Sequence, residues 1–383
     1  MKRVYLDFAA TTPVDPRVRE AMAPYLGPVF GNPSSIHQFG QEALAAVDEA
    51  RGRVAALLNA SPEEIVFTGG GTEANNAAVK GVCLASRDKG NRIVTTAVEH
   101  HAVLHPCEFM EAFGFECAVI PVGRDGLADP DDVKKALTPR TVMVSVMHAN
   151  NEIGVIQPLA EIGRLARERG IAFHTDAVQT FGHLDTGVDS LGVDLLSLSG
   201  HKLYGPKGIG ALYIRKGTPF VPLLHGGGQE AGRRSSTHNV PGIVGLGKAA
   251  DLAGREMKAE NERILDLRNR LYGRVRRDID GVRLNGHPEK RLANNLNLSV
   301  EGVEGESLLV RMDIEGVAVS TGSACGSGSE KPSHVLTAIG LSPKEARGSI
   351  RLTLGRMTTQ SDVDEAAAVL QKTVDALRSI ASG

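Results

Sequence analysis

Short apolar runs alternate with amphipathic stretches through the first two thirds of this 383-residue chain, and this alternation restricts the fold more than any other feature. The apolar runs have the length and composition of buried strands; they cover residues 64–68, 92–96, 142–146, 171–174, 194–198 and 210–214. Helical patterns lie between them, for example at 40–58, 72–86 and 159–169. Buried strands separated by helices predict an α/β fold with a mostly parallel sheet covered by helices.

The last third of the chain has a different pattern. A long charged helical pattern runs over residues 243–278 and a closing helix is predicted at 361–380. Between them lie strand-like runs at 296–300, 318–320 and 349–354. Because 383 residues exceed what one hydrophobic core usually serves, we expect two domains, the second a smaller α+β unit.

Composition excludes several classes of protein. The net charge is −2, from 43 basic and 45 acidic residues, so nucleic acid or an anionic membrane is not expected as a main partner. The basic opening is interrupted by Asp7 before any apolar core forms, which argues against a signal peptide. No run approaches the roughly 18 apolar residues of a membrane helix. We therefore expect a cytoplasmic protein.

Two polar residues follow predicted strands in a way that suggests cofactor chemistry. Lys202 comes just after the run 194–198, and Asp176 just after 171–174. A desolvated lysine amine is nucleophilic and can hold a carbonyl as a Schiff base, while an aspartate can pair with a pyridine nitrogen. Together they are typical of pyridoxal phosphate. The alternative is a surface lysine beside the turn-forming stretch 204–208.

A glycine-rich stretch also follows a strand. Residues 69–73, Gly-Gly-Gly-Thr-Glu, open a predicted helix, where backbone N–H groups and the helix dipole favour a phosphate. The stretch lacks the P-loop pattern of nucleotide-binding proteins, and a plain turn capped by Thr72 is the alternative. Since ligands collect at the carboxyl ends of parallel strands, the residues at 68–69, 150–151, 176 and 199–200 should converge on one sheet edge.

The four cysteines form no C-x-x-C pair, so neither a disulfide framework nor a zinc site is expected. Cys83 and Cys117 lie in apolar surroundings typical of packing, and Cys107 is also interpreted as structural. Cys325 differs, because it lies among glycines and serines in a sequence typical of a flexible loop. It is either a nucleophile or an incidental linker cysteine.

Seven motifs, in order, carry a resemblance to a known family. They lie at residues 5–13, 31–35, 68–73, 99–100, 150–154, around Lys202, and at 323–325. With these motifs the chain resembles the fold-type I pyridoxal-phosphate enzymes and, within them, the NifS/IscS-like cysteine desulfurases. The resemblance implies a large cofactor-binding domain over residues 15–254. Residues 1–14 and 255–383 would form the small domain, which carries the cysteine loop.

The resemblance assigns a role to each site residue. Lys202 matches the lysine that holds the cofactor covalently, Asp176 the partner of the pyridine nitrogen, and Gln179 the partner of the phenolic oxygen. His100 matches the ring that stacks on the cofactor and transfers protons; with His101 and His105 it also suggests a metal site, for which the sequence offers no convincing further ligand. The remaining matches are the phosphate contacts Gly71, Thr72, Ser199 and His201, the partner-subunit phosphate contact Thr237, and the substrate contacts Asn151 and Arg351. Ser236 stands where relatives often have glycine.

The function implied by the resemblance is a homodimeric cysteine desulfurase, a transferase that acts on L-cysteine. It would release L-alanine and carry the sulfur as a persulfide on Cys325 for an iron–sulfur scaffold or a tRNA-thiolation protein. Cys325 could also ligate an iron–sulfur cluster transiently; no resident metal is expected. The rival hypotheses are a selenocysteine lyase or related C–S lyase, an aminotransferase, which needs no thiol, and a non-catalytic scaffold that retains the fold.

Overall fold

The computed structural model describes residues 3–321 and 332–381. Its strands are β1 Val4–Tyr5, β2 Ile65–Thr68, β3 Arg92–Thr96, β4 Glu116–Ile120, β5 Thr141–Ser145, β6 Ala172–Asp176, β7 Leu195–Ser199, β8 Gly210–Ile214, β9 Val282–Leu284, β10 Asn295–Val300, β11 Val317–Ala318 and β12 Ser349–Thr353. Its α-helices are α1 Pro16–Met22, α2 Gln38–Leu58, α3 Gly71–Ala85, α4 His101–Glu111, α5 Pro130–Ala136, α6 Leu159–Arg167, α7 Val188–Leu191, α8 Val240–Asp278, α9 Gly305–Ile314, α10 His334–Ala338, α11 Pro343–Arg347 and α12 Gln360–Ala381.

A seven-stranded sheet forms the centre of the larger part of the molecule. Its strand order is β2-β8-β7-β6-β5-β3-β4, and only β8 runs antiparallel to its neighbours. The predicted α/β fold with a mostly parallel sheet is therefore confirmed. All six predicted strands are present. The seventh, β4, was not predicted, because it lies at the sheet edge and only Ile120 in it is buried.

Helices cover both faces of this sheet. Successive strand residues point to opposite faces, so Ile93 belongs to the apolar cluster that includes residues of α3 and α4, whereas Val94 belongs to the cluster that includes residues of α2 and α8. In β5, Met143 belongs to the first of these clusters and Val144 to the second. This explains why the strands are apolar throughout rather than alternating in the sequence.

The strand ends bring distant segments to the same edge. Both Thr68 at the end of β2 and Ser199 at the end of β7 pair with Gly210 in β8, so they lie level across the sheet. Asp176 ends β6, the neighbour of β7. The glycine-rich stretch, the aspartate and the lysine segment therefore start from one edge, as strand-end reasoning predicts.

A second, smaller sheet has the antiparallel order β12-β10-β9. The N-terminal segment contacts this part of the chain: β1 pairs with β11, Asp7 bridges to Thr353 in β12, and Leu6 is buried in the same apolar core as Leu298. The first residues thus lie against the last third of the chain, far away in sequence.

Helix α8 connects the two apolar cores. Leu246 near its start packs with the large sheet, whereas Leu271 near its end packs with the small one. Gly247 permits close packing against α2, because a Cβ there would lie 2.6 Å from Ala50. The expected domain boundary between residues 254 and 255 falls inside this continuous helix, and it stays a prediction. In the described ranges, no helix has the length and apolar character needed to span a membrane.

Candidate active site

One cleft of about 340 Å³ collects most of the residues singled out from the sequence. This volume suits a small-molecule ligand. The predicted site residues that line it are Gly71, Thr72, His100, Asn151, Asp176, Gln179, Ser199, His201, Lys202 and Arg351. The cleft also contains residues that the sequence did not single out as functional, among them Asn75, Met147 and Val178.

Lys202 lies at the end of a short 3₁₀ turn that follows β7. Its Nζ donates hydrogen bonds to the backbone oxygens of Ala9 and Ala10, the latter at 2.7 Å. Its own carbonyl accepts a hydrogen bond from His183 Nε2 at 3.0 Å. The N-terminal segment thus lies directly against the lysine amine, and the side chain is only partly exposed.

Asp176 is a buried carboxylate at the end of β6. Its Oδ2 accepts a hydrogen bond from Asn75 Nδ2 at 2.6 Å, and its Oδ1 accepts one from the Val178 N–H at 2.9 Å. These two donors fix the carboxylate at the cleft wall. Asn75 Oδ1 is buried and has no hydrogen-bond partner among the described residues. Sequence reasoning missed Asn75, although an asparagine on the buried side of an alanine-rich helix was the signal.

The N-terminus of α3 opens towards the same cleft. Gly70 precedes the helix with φ +153°, and the first N–H groups of a helix have no partner within it. A Cβ on Gly71 would lie 2.6 Å from Val178 Cγ2, so a side chain would fill this space. Behind the turn, Glu73 accepts a hydrogen bond from the Gly69 N–H at 2.7 Å and pairs with Arg234 at 2.8 Å. The turn is thus held from both sides.

His201 and Ser199 border this helix terminus. His201 Nδ1 lies 3.1 Å from Thr11 Oγ1. Burial, with smaller contributions from Lys202 and Lys207, lowers the pKa of His201 to about 4. The imidazole is therefore neutral near pH 7 and can donate one hydrogen bond to an anion.

These groups fit pyridoxal phosphate. A partly buried amine, a buried carboxylate and an open helix N-terminus suit its aldehyde, pyridine nitrogen and phosphate respectively. The orphaned oxygen of Asn75 and the space beside Gly71 both lie at this cleft. Gln179 also faces it, with Nε2 donating to the Ala9 carbonyl at 3.0 Å.

His100 directly precedes α4 and is the N-cap residue of this helix. Its Nδ1 accepts a hydrogen bond from the Ala102 N–H at 3.0 Å, which leaves Nε2 as the protonated ring nitrogen. The preceding residue, Glu99, is completely buried and receives hydrogen bonds from Thr96 and from the Met147 N–H, both at 2.8 Å. Burial raises the pKa of Glu99 to about 8.

A histidine cluster lies beside His100. The ring centroid of His101 is 4.8 Å from that of His105 and 4.6 Å from that of His334. Among residues 3–321 and 332–381, no group of His, Cys, Asp or Glu side chains has the arrangement of a metal site.

Arg351 and Asn151 also line the cleft. Although β12 is an edge strand, Arg351 is buried: Nη1 donates to the Asn151 carbonyl at 2.9 Å and Nη2 to Asp7 Oδ1 at 2.8 Å. Its Nε has no hydrogen-bond partner among the described residues. A buried guanidinium with an unused donor favours an anionic ligand.

Two predicted site residues lie elsewhere. Thr237 is exposed and does not line the cleft of its own chain. Ser236 beside it has φ +114°, a backbone conformation that favours glycine. Cys325 lies outside the described residues, so its role stays a prediction.

The other cysteines have environments typical of packing. Cys83 and Cys107 are buried, and Cys117 is half-buried beside the same core. Burial raises the pKa of Cys83 to about 12. The hydrogen bond with Cys117 and burial both raise the pKa of Cys107. Neither buried thiol is prepared to act as a thiolate.

Known proteins match the chain over almost its whole length. The family described as Aminotransferase class-V matches residues 4–366. The chain is 56% identical over 381 residues to "Cysteine desulfurase IscS" of Dictyoglomus turgidum, which covers 99% of this chain and 97% of that relative. Among solved structures, a "NIFS-like protein" has 37% identity and a TM-score of 0.92, covering 98% of this chain and 100% of that chain. "SspA in complex with cysteine" has 39% identity and a TM-score of 0.83, with 93% and 100% covered.

Fold, cleft and matches together define an enzyme of the fold-type I class, which depends on pyridoxal phosphate. The chain belongs to the class-V aminotransferase family and, within it, to the IscS/NifS-like cysteine desulfurases.

Proposed function

We propose that this protein is a cysteine desulfurase that converts L-cysteine to L-alanine and transfers the sulfur to a cysteine of its own. The observation that carries the proposal is one cleft in which Lys202, Asp176 and Arg351 meet. An amine for the cofactor aldehyde, an anion for its ring nitrogen and a guanidinium for the substrate carboxylate are what this reaction requires. The relatives named as cysteine desulfurases support the choice of substrate.

Each end of the cofactor has a matching group in the cleft. Lys202 would bind the aldehyde, Asp176 would keep the pyridine nitrogen protonated, and Gln179 would contact the phenolic oxygen. The phosphate would be held by the α3 terminus and the residues beside it, Gly71, Thr72, Ser199 and His201. When bound, pyridoxal phosphate supplies an electron-withdrawing ring that stabilises negative charge at the substrate Cα.

The residues of the chain provide binding and proton transfer. Arg351 and Asn151 would hold the substrate carboxylate, since both line the cleft and Arg351 Nε has no hydrogen-bond partner among the described residues. The Lys202 amine, once released from the cofactor, would take the proton from Cα. His100, with a protonated Nε2, would move a proton near the substrate sulfur.

Cys325 would accept the sulfur. Its thiolate attacks the substrate sulfur, so that an S–S bond forms while the Cβ–S bond breaks. The electron pair of the broken bond stays on Cβ, which takes up a proton and leaves as part of L-alanine. A free thiol with a pKa of about 8.5 is mostly protonated at neutral pH, so a nearby base must assist; His100 is the candidate once its Nε2 has given up its proton.

The assembly and its partners belong to the same proposal. Thr237 supports a homodimer, because it lies outside its own cleft and would reach the cofactor phosphate of a second copy. The persulfide would pass to an iron–sulfur scaffold or another sulfur acceptor in the cytoplasm.

Cysteine variants test the proposal. Cys325→Ser should bind cofactor and still change its absorbance when L-cysteine is added, because neither step uses the thiol. It should form almost no alanine. Cys83→Ser, Cys107→Ser and Cys117→Ser serve as controls and should form alanine at the wild-type rate. Full alanine formation by Cys325→Ser would overturn the proposal and favour a lyase that expels sulfur without a protein nucleophile.

A further inference from the structure

Four successive backbone carbonyls of one turn, those of residues 151–154, accept hydrogen bonds from the last third of the chain. The distances from donor to carbonyl oxygen lie between 2.9 and 3.2 Å; the donors are, in the order of the carbonyls, the Arg351 side chain, the side chains of Asn295 and Asn297, the Arg291 side chain and the Leu292 N–H. The turn carries Asn151, which lines the cleft. Its position relative to the cleft therefore depends on these donors.

One of these donors, Arg291, is a buried cation that the proposed chemistry does not use. It is 5% exposed and lies in the segment between β9 and β10. Among the described residues no carboxylate pairs with its guanidinium, which donates instead to backbone carbonyls and to one side-chain amide oxygen. Burial lowers the pKa of Arg291 to about 9, so the group stays charged at neutral pH. A buried charge is costly unless hydrogen bonds satisfy it, so these oxygens are held firmly.

The Arg291 guanidinium connects the turn to the small sheet. Its Nη2 donates to the Ile153 carbonyl at 3.0 Å and to Asn295 Oδ1 at 3.2 Å, while its other nitrogens donate to backbone carbonyls between β9 and β10 and in β10 itself. Because Asn295 Oδ1 accepts from Arg291, the Nδ2 group of this amide is the donor to the Glu152 carbonyl. Arg291 thus holds two successive carbonyls of the turn, one directly and one through Asn295.

The turn and the Arg291 segment fit closely together. Gly154 has φ +74°, and a Cβ there would lie 2.7 Å from Asn295 Cβ. Val155 pairs with Arg291 in an antiparallel bridge. Within the turn, Asn150 Oδ1 accepts hydrogen bonds from the N–H groups of the second and third residues after it, at 2.8 and 2.9 Å. A turn that is closed in this way should shift as a unit, and Asn151 with it, when a donor on the small sheet is lost.

A shift of the turn would reach both proposed substrate contacts. Arg351 Nη1 donates to the Asn151 carbonyl at 2.9 Å, and both residues line the cleft. Moving the turn would therefore displace one contact and take away an acceptor that orients the other. At the cofactor, the Asp176 carboxylate has its own donors in Asn75 and Val178.

We propose that Arg291 is a positioning residue for recognition of the substrate carboxylate: its guanidinium holds the turn where Asn151 and Arg351 can bind that carboxylate together. Arg291 acts through these two residues, since it does not itself line the cleft. The inference rests on the proposed function, because the carboxylate is that of the cysteine substrate.

The experiment compares ligands with and without a carboxylate in the cofactor-loaded enzyme. L-Alanine, the proposed product, and ethylamine, which is alanine without its carboxylate, are titrated by the absorbance change of the cofactor. Arg291→Met should bind L-alanine about tenfold more weakly than the wild type and ethylamine within about twofold. Its KM for L-cysteine should rise about tenfold while kcat stays within about twofold. Arg291→Lys keeps the charge but not the planar fork and should lose about threefold in L-alanine affinity.

A second buried arginine provides a matched control. Arg268 is 9% exposed, and its Nη1 donates to the Leu292 carbonyl at 3.2 Å rather than to a carbonyl of residues 151–154. Arg268→Met should lower the melting temperature as Arg291→Met does, because each removes a buried, hydrogen-bonded cation. The ratio of L-alanine affinity to ethylamine affinity should stay at the wild-type value in Arg268→Met.

The outcomes separate the positioning role from the proposed function. Wild-type enzyme that forms no alanine from L-cysteine would contradict the proposed function, while the two titrations would still decide on Arg291. Unchanged L-alanine affinity in Arg291→Met, or in Arg291→Lys if only that variant folds, would overturn the positioning role alone. Equal losses for L-alanine and ethylamine, or the same selective loss in Arg268→Met, would also overturn it, since a general loosening of the fold would then be the cause.

Discussion

The two ends of the cleft are built in different ways. The cofactor end consists of Gly71, Asp176, Ser199 and Lys202: Asp176 and Ser199 end strands of one sheet, and Gly71 and Lys202 follow such strands after short turns. The substrate end depends on Arg351, whose hydrogen-bond partners lie 200 residues away at Asn151 and 344 residues away at Asp7.

This difference implies that the two ends can be disturbed separately. The positions of Gly71, Asp176 and Ser199 at the cofactor end follow from the strand pairing of the large sheet, although Lys202 there also contacts Ala9 and Ala10 of the N-terminal segment. The substrate end forms only where the N-terminal segment, β12 and the turn at residues 150–154 meet. Cofactor binding and substrate binding should therefore respond to different substitutions.

The largest effect is expected at the cofactor end. Lys202→Ala should lower turnover by about 10³-fold or more, because the proposed covalent contact to the cofactor and the proposed group that moves the Cα proton would both be lost. Reduction of the wild-type enzyme with borohydride and peptide mapping should place the pyridoxyl label on Lys202. The exposed Lys207 is the control, and Lys207→Ala should keep both label and turnover. A label on Lys207 would overturn the assignment.

A somewhat smaller effect, confined to substrate binding, is expected at the substrate end of the cleft. Arg351→Lys should raise the KM for cysteine about 100-fold, since a lysine cannot reproduce the bonds to Asp7, Asn151 and a carboxylate at once. The cofactor absorbance should not change. Arg283→Lys, on the exposed side of the small sheet, should leave KM unaltered. Loss of cofactor from Arg351→Lys would show that the two ends are not separable.

The scaffold below the cofactor end should be sensitive to acid. His174 in β6 is fully buried between Ser145 Oγ and Ser197 Oγ, and burial lowers its pKa to about 3. An unfolded histidine has a pKa of about 6.5, so below that pH the unfolded chain binds more protons and the free energy of unfolding decreases, by up to about 2 kcal/mol at about pH 5. Glu99, whose pKa is raised, acts in the opposite direction.

Urea unfolding of the wild type and of His174→Gln at several pH values isolates this contribution. The variant should be less stable at neutral pH but should lose less stability on acidification. Equal slopes in the two proteins would mean that His174 is already protonated, or equally free to protonate, in the folded state.

The smallest effect is expected outside both ends. Ser236→Gly should raise the free energy of unfolding by about 1 kcal/mol, because glycine adopts φ +114° without the strain that a serine incurs. Ser34→Gly, at an exposed turn position without positive φ, should be neutral or slightly destabilising. Cysteine turnover should be unchanged in both. A less stable Ser236→Gly variant would show that the loop is not strained there.

The contrast between the cofactor end and the substrate end also explains which parts of the structure the sequence predicts. Strand ends and glycine turns are local signals, so the sequence alone indicates Lys202, Asp176 and the α3 terminus. Arg351 on an edge strand gives no such signal, because its burial depends on Asp7 and Asn151, which only the fold brings near. The Arg291–Ile153 bond and the contact of Asn75 with Asp176 are tertiary in the same sense, and β4 was missed because an edge strand need not be apolar.

The location of the transferred sulfur tests the proposed function most directly. After a brief pulse of L-cysteine, the thiols are blocked with an alkylating reagent and the peptides analysed by mass spectrometry. One added sulfur atom is expected on the peptide that contains Cys325, and none on the peptides that contain Cys83, Cys107 or Cys117. Alanine released without any added sulfur on Cys325, or a persulfide on one of the other three cysteines, would contradict the account.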